Sequence, residues 1–231
     1  MIIYTDLSNH LKWVHLSKTG TGKFNLPDEI LVTNTPNSSN GVAEYAVAGV
    51  LHLLRGLDRM SNNRLEFDKN IDYIKPFNQI SCLIVGYGRI GKEIDRLLSA
   101  LGMQIKKLDR HTHITNLKEL PYDFVINTLP LSHETINYFT AETFGKMNKN
   151  SYILNIGRGE TINEDDLFNA LTTKQIRGAF LDVVQNEPSK YDNRLLKLDN
   201  VFISPHIANA LYNALNTQVQ TFIEKLKEYN K

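Results

Sequence analysis

Residues 80–91 read Ile80-Ser-Cys-Leu-Ile-Val-Gly86-Tyr-Gly88-Arg-Ile-Gly91, an apolar run that stops at three glycines spaced G-x-G-x-x-G. A segment of helical periodicity, Ile90–Leu101, follows at once. Strand, glycine turn and helix in this order suit a dinucleotide. Gly86 permits the tight turn, Gly88 lets backbone approach a pyrophosphate with no Cβ in the way, and Gly91 allows the helix to pack closely on the strand. The phosphates then lie on the helix N-terminus, where free N–H groups and the helix dipole face negative charge. Arg89 and Ile90 belong to the same turn and are expected to contact the cofactor. Alone, the triplet also fits an ordinary tight turn between strand and helix. Asp109 adds context: it ends the next apolar strand, 18 residues beyond Gly91, close to the roughly 20 expected of the acid that binds the adenine ribose. A carboxylate there accepts hydrogen bonds from the ribose hydroxyls and repels a 2′-phosphate, so NAD is expected over NADP. Arg110, next in the chain, is a cation that could pair with such a phosphate.

Outward from this turn the chain alternates. Strands are expected at Ile80–Val85, Ile105–Asp109, Phe124–Leu129, Tyr152–Ile156, Gly178–Val183 and Val201–Ser204, with helices at Ile90–Leu101, Ala141–Met147 and Glu164–Leu171. Strands that read as continuous apolar runs between helices imply an α/β fold, a doubly wound parallel sheet covered on both faces. Upstream lie strand candidates Leu11–Leu16 and Ile30–Thr33, a loop-rich Asn34–Gly41, and a helix Val42–Arg59 that is apolar on most sides and must be covered on more than one face. A last amphipathic helix carries Leu211, Leu215, Val219, Phe222 and Leu226.

Composition restricts the function classes. Of 231 residues 42% are hydrophobic and 22% charged, as in an ordinary globular protein. Lys plus Arg number 26 against 25 Asp plus Glu, a formal charge of +1 with no field to gather nucleic acid. Val42–Leu54 is broken by Glu44 and His52 and falls short of the roughly 20 apolar residues a membrane helix needs. One cysteine, Cys82, cannot form an internal disulfide, and the start Met-Ile-Ile-Tyr-Thr-Asp has no basic and apolar leader pattern. These features point to a cytoplasmic chain.

Three polar residues fall just past the ends of apolar strands, the edge where open parallel sheets place ligands: Arg158, Glu187 and His206. Singly, each reads as a surface charge, a turn residue or a loop histidine. Their surroundings read Leu154-Asn-Ile-Gly-Arg158-Gly-Glu, Gly178-Ala-Phe-Leu-Asp182-Val-Val-Gln-Asn-Glu187-Pro and Asn200-Val-Phe-Ile-Ser-Pro-His206-Ile-Ala, alongside Asn127-Thr-Leu-Pro-Leu-Ser-His-Glu-Thr135. Together these resemble the signatures of the D-isomer-specific 2-hydroxyacid dehydrogenases, in the family's order, and the likeness runs from about Leu11 to the C-terminus.

The resemblance implies that His206 is the acid/base, Glu187 its partner, and Arg158 the anchor for the substrate carboxylate and reacting oxygen. The chemistry agrees. Hydride transfer at C2 needs a group that exchanges a proton with the C2 oxygen near neutral pH, which imidazole does best. A carboxylate beside it favours imidazolium, and a planar guanidinium grips a carboxylate through two parallel hydrogen bonds. The resemblance also gives Leu129 and Pro130 to the cofactor, makes Asp182 a contact of the nicotinamide carboxamide, and aligns Lys18-Thr-Gly-Thr21 with a loop whose amides bind the substrate carboxylate, so Thr19 and Gly20 join the substrate side. As a strand-end residue Asp182 also fits a loop-capping role. The family's equivalent of the Val42–Arg59 helix packs across a two-fold axis, so a homodimer is expected. No metal is expected: His111 and His113 lack a third ligand nearby. Cys82 inside a strand reads as core.

The resemblance further assigns residues 41–206 to a dinucleotide-binding domain, and 1–40 with 207–231 to what remains of a flavodoxin-like substrate domain. Only ten residues precede Leu11; at roughly 30 residues per βαβ unit, about two units of that domain are expected to be missing. The segment from Arg110 to Asp123 is also short for a helix plus a strand. The expected function is hydride transfer between NAD and a small D-2-hydroxy or 2-keto acid, of the glyoxylate or hydroxypyruvate reductase kind. The alternative is a catalytically impaired NAD-binding regulator or oligomer partner.

Overall fold

The computed structural model describes residues 11–16, 27, 29–35, 39–57, 75–108, 112–187, 194–210 and 214–229. Among them, β3 (Ser81–Val85), β4 (Gln104–Leu108), β5 (Phe124–Asn127), β6 (Tyr152–Asn155), β7 (Gly178–Leu181) and β8 (Val201–Ile203) form one parallel sheet, in the order β4-β3-β5-β6-β7-β8. A separate parallel pair joins β1 (Trp13–Leu16) to β2 (Leu31–Asn34). The helices are α1 (Ser39–Leu54), α2 (Arg89–Ala100), α3 (Ala141–Lys146), α4 (Glu164–Thr172) and α5 (Ala214–Tyr229). The doubly wound parallel sheet expected from the apolar runs is present.

The central strands are buried along their whole length because both faces of the sheet are covered. Alternate side chains divide between two cores. Cys82, Ile84, Phe124, Ile126, Leu154 and Phe180 pack with α1 and α2, while Leu83, Val85, Val125, Ile153, Ala179 and Leu181 pack with α3 and α4. After β3 the chain crosses through α2 to β4, then returns past β3 to β5, so connections leave β3 and β5 toward opposite faces. That divergence opens a crevice at the carboxyl ends of these two strands.

Element ends differ from expectation where loop chemistry intervenes. The helix expected over Val42–Arg59 starts at Ser39 and ends at Leu54, because Gly56 takes a φ of +65° and stops it. Most of its apolar residues, Ala46, Val50, Leu53 and Leu54 among them, are covered within the chain by the sheet and α2. The strands expected to reach Leu129 and Val183 end two residues earlier, and the one expected to reach Ile156 ends one residue earlier, where the site loops begin. The short segment after β4 holds a 3-10 turn, Ile114–Asn116.

Strand β1 and helix α5 meet. Trp13 of β1 stacks on Phe222 and Tyr229 of α5, with ring centroids 5.5 and 5.3 Å apart, and its indole N–H donates to Thr33 Oγ1. His15 lies between Thr33 and Thr35 Oγ1, and burial, with Lys225 nearby, lowers its pKa from the ordinary histidine value. Among the described residues no helix is long and apolar enough to cross a membrane.

Two outcomes follow from this packing. Burial, reinforced by Asp123, pushes the Cys82 thiol up to about 12. At pH 8 roughly one thiol in ten thousand is then ionised, so a thiolate-selective disulfide reagent labels Cys82 only after denaturant unfolds the chain; rapid native labelling contradicts the burial. At Gly91 an added Cβ would sit 2.3 Å from the Gly86 carbonyl oxygen, a backbone atom with little freedom to move. Gly91→Ala therefore destabilises the fold by about 1–3 kcal/mol, read as a lower denaturation midpoint at unchanged m-value.

Candidate active site

At the crevice, β3 is followed by Gly86 with φ +94°, a conformation that L side chains rarely adopt. The Gly86 carbonyl accepts the Thr128 hydroxyl at 2.5 Å, and a Cβ at Gly86 would meet Thr128 Oγ1 at 2.9 Å and the Leu129 nitrogen at 3.1 Å. The glycine turn and the loop after β5 are thus seated on one another. Gly88, the N-cap of α2, has nothing within 4 Å of its would-be Cβ, and no side chain caps the helix. Uncapped N–H groups under open space fit a pyrophosphate. Arg89 is exposed at the first helical position and Ile90 packs partly into the core.

Tyr87 points the other way. Its hydroxyl donates to Asp95 Oδ2, and Lys107 of β4 donates to both Asp95 and the Tyr87 oxygen, with its ammonium 4.5 Å from the ring centroid. Burial works against the Asp95 carboxylate, but hydrogen bonds from Tyr87, Lys107 and Ser99 outweigh it and lower its pKa. The turn is therefore pinned to both α2 and β4. Asp109, Thr19 and Gly20 lie outside the described residues. On the loop after β5, the Leu129 N–H donates to Asn127 Oδ1 and the Pro130 carbonyl accepts the Thr135 hydroxyl.

Further along the same edge, His206 and Glu187 meet. The His206 Nδ1 is 2.6 Å from Glu187 Oε2, while Glu187 Oε1 accepts the Val184 N–H at 2.9 Å. With Nδ1 engaged, Nε2 is the ring nitrogen left for proton exchange. His206 holds φ +55° and Asn186, beside Glu187, φ +56°. Non-glycine residues in this region cost of order 1–3 kcal/mol each, and such strain persists where surrounding bonds over-determine it.

Asp182 provides those bonds. Only 2% exposed, its carboxylate accepts the Ser204 hydroxyl at 2.7 Å and the N–H groups of Ile207 and Ala208 at 2.8 and 3.0 Å; its carbonyl accepts the His206 N–H. The loop-capping role open to a strand-end acid is thus the one its contacts display, beside the nicotinamide contact that the resemblance implies.

Arg158 follows β6, half-buried, with its NH1 donating to the Gly157 carbonyl. Among the described residues its guanidinium pairs with no carboxylate. Its neighbour Gly159 lies against the Glu187 loop: a Cβ there would come 2.0 Å from the Val184 carbonyl oxygen. The Arg158 loop and the Glu187 loop are therefore packed backbone to backbone.

Sequence reasoning gave no role to Thr128, Asn127, Asn155, Thr161 or Ser204, all of which bond within these loops. A polar residue closing an apolar strand, as Asn127 and Asn155 do, was the available signal. His113 bonds Thr115 and packs on the Tyr138 ring, and among the described residues no group of three His, Cys, Asp or Glu could hold a metal.

Comparison with known proteins agrees with this geometry. Residues 47–208 match the model of the D-isomer specific 2-hydroxyacid dehydrogenase, NAD binding domain. A putative 2-hydroxyacid dehydrogenase of Haemophilus influenzae is 33% identical over 95% of this chain and 78% of its own length. A glyoxylate reductase of Thermofilum pendens is 30% identical over 90% and 69%. The NAD-complexed D-isomer specific 2-hydroxyacid dehydrogenase of Lactobacillus delbrueckii ssp. bulgaricus superposes with a TM-score of 0.78 at 25% identity, covering 95% of this chain and 76% of that one. The family match embraces the glycine turn, Arg158, Glu187 and His206 alike, and the chain belongs to the D-isomer specific 2-hydroxyacid dehydrogenase family of NAD-binding oxidoreductases.

Proposed function

We propose that this chain reduces a small 2-keto acid to the D-2-hydroxy acid, glyoxylate and hydroxypyruvate being the substrates of first choice. The observation that supports it is the 2.6 Å contact between His206 Nδ1 and Glu187 Oε2 on the same sheet edge as the glycine cradle. Arg158 takes the substrate carboxylate in a two-pronged grip and fixes which face of C2 is presented. His206 delivers a proton from Nε2 to the C2 oxygen as that oxygen gains charge, and Glu187 holds the ring through Nδ1. When bound, NADH supplies the hydride to C2, and proton plus hydride give the hydroxyl. Gly86, Gly88, Arg89, Ile90, Gly91, Leu129 and Pro130 hold the dinucleotide, with Asp109 on the adenine ribose. The glyoxylate reductase of Thermofilum pendens supports this substrate class by its likeness. The division into residues 41–206 for the cofactor, and 1–40 with 207–231 for the substrate, goes with this reading and is supported by the stacking of Trp13 on α5.

The same reading makes the protein a homodimer through the 42–59 segment. Leu57 is 46% exposed beyond α1, and His52 of α1 lies against Phe202, 37% exposed on the edge strand β8. These apolar groups suit a two-fold contact with a second copy.

Two experiments test these proposals. NADH oxidation by glyoxylate and by hydroxypyruvate is measured beside the same assay with NADPH, which the Asp109 carboxylate makes the weaker cofactor. His206→Asn lowers kcat by roughly 10²–10⁴-fold and leaves NADH affinity nearly unchanged, and Glu187→Gln lowers kcat through the ring it orients. A comparable loss of NADH binding in His206→Asn assigns His206 to the scaffold instead, and absence of turnover with any 2-keto acid favours the impaired regulator. Light scattering at micromolar concentration gives the dimer mass; a monomer there removes the two-fold contact.

A further inference from the structure

The last residues of β5 and β6 are asparagines, side by side in register and buried, with Asn127 fully enclosed and Asn155 1% exposed. An amide in such a place is tolerated only when its bonds are made, because water is not available to satisfy it. Here each amide oxygen and nitrogen has a partner. Asn127 Nδ2 donates to Asn155 Oδ1 at 2.9 Å and to Thr161 Oγ1 at 2.7 Å, while its Oδ1 accepts the Leu129 N–H at 3.0 Å. Asn155 Oδ1 also accepts the Gly157 N–H at 3.1 Å, and its Nδ2 donates to the Arg158 carbonyl at 3.0 Å. Thr161, wholly buried, completes the ring by donating its hydroxyl to that same carbonyl at 2.6 Å.

We propose that Asn127, Asn155 and Thr161 are positioning residues that lock the nucleotide-side loop at Leu129 to the carboxylate-binding loop at Arg158, so that ordering one loop orders the other. The proposal rests on the reading of Arg158 as the carboxylate anchor. Its reason is geometric: the network bonds the backbone of two neighbouring loops, Leu129 in the loop after β5 and Gly157 with Arg158 in the loop after β6. None of its three members needs to touch substrate. A buried network whose polar atoms are all partnered is rigid because a released bond finds no water to replace it. Gly159 extends the lock to the Glu187 loop, since its backbone abuts Val184, whose N–H orients the Glu187 carboxylate.

The test is Thr161→Val, which keeps shape and removes the hydroxyl, beside Thr161→Ser, which restores it. Two readouts are taken. In the ligand-free protein, amide hydrogen exchange accelerates about tenfold at both Leu129 and Gly157 in Thr161→Val, while Leu98 in α2 keeps its wild-type rate; Thr161→Ser returns both loops to normal. In turnover, KM for glyoxylate rises about tenfold with kcat changed far less and NADH affinity nearly constant. Unchanged exchange at Leu129 overturns the lock, because the two loops are then independent. Equal acceleration in α2 also overturns it, since the hydroxyl would then serve general stability. If the wild type reduces no 2-keto acid, the functional reading fails on its own, and the exchange experiment still decides whether the loops are joined.

Discussion

One row of backbone pairing governs where this site can be. Val85 pairs with Asn127, Asn127 with Asn155, Asn155 with Leu181, and Leu181 with Ile203. Five strands therefore end at one height, and the next residue of each turns out into a loop: Gly86, Thr128, Ile156, Asp182 and Ser204. Because these first loop residues are neighbours, they bond in pairs across the sheet. Thr128 donates to Gly86, and Ser204 donates to Asp182. A slip of one residue in any strand would reverse its side chains between the two cores and separate these partners at once.

The row also explains why so much of the site is held by backbone. Loop N–H and C=O groups that leave the sheet ladder still require partners. Asp182 supplies them to the His206 loop, and Asn127 and Asn155 supply them to the Leu129 and Arg158 loops. His206, exposed, and Arg158, half-buried, are thereby carried on backbone fixed from beneath by buried polar side chains. The positive φ of His206 fits this arrangement, since three donors gathered by one carboxylate hold the loop in a shape it would not take alone.

The two cores on either side of the sheet keep these bonds dry. Phe139 and Phe144 are enclosed on one face and Ile94 and Leu98 on the other, so the strands between them cannot tilt without opening voids. Rigid strands, polar strand ends and strained loop tips form a gradient from stability to chemistry. The tightest backbone approaches, Gly91 on Gly86 and Gly159 on Val184, stand at the boundary between the two.

The order of elements, the sheet type and the glycine turn were legible in the sequence, as was the placement of Arg158, Glu187 and His206 just past strand ends, because hydrophobic period and residue spacing are local properties of the chain. The Cys82 core assignment was legible for the same reason. Local pattern offered loop capping for Asp182 but could not say that the loop is that of His206, nor that Asn127 bonds Asn155 and Thr161, since those partners are separated by 22 to 34 positions and meet only once the strands are in register. It also overran α1, because the φ of Gly56 is set by how the chain leaves the packed helix. Residue chemistry was written in the chain; which groups share hydrogen bonds was decided by the folding of distant strand ends to a common edge.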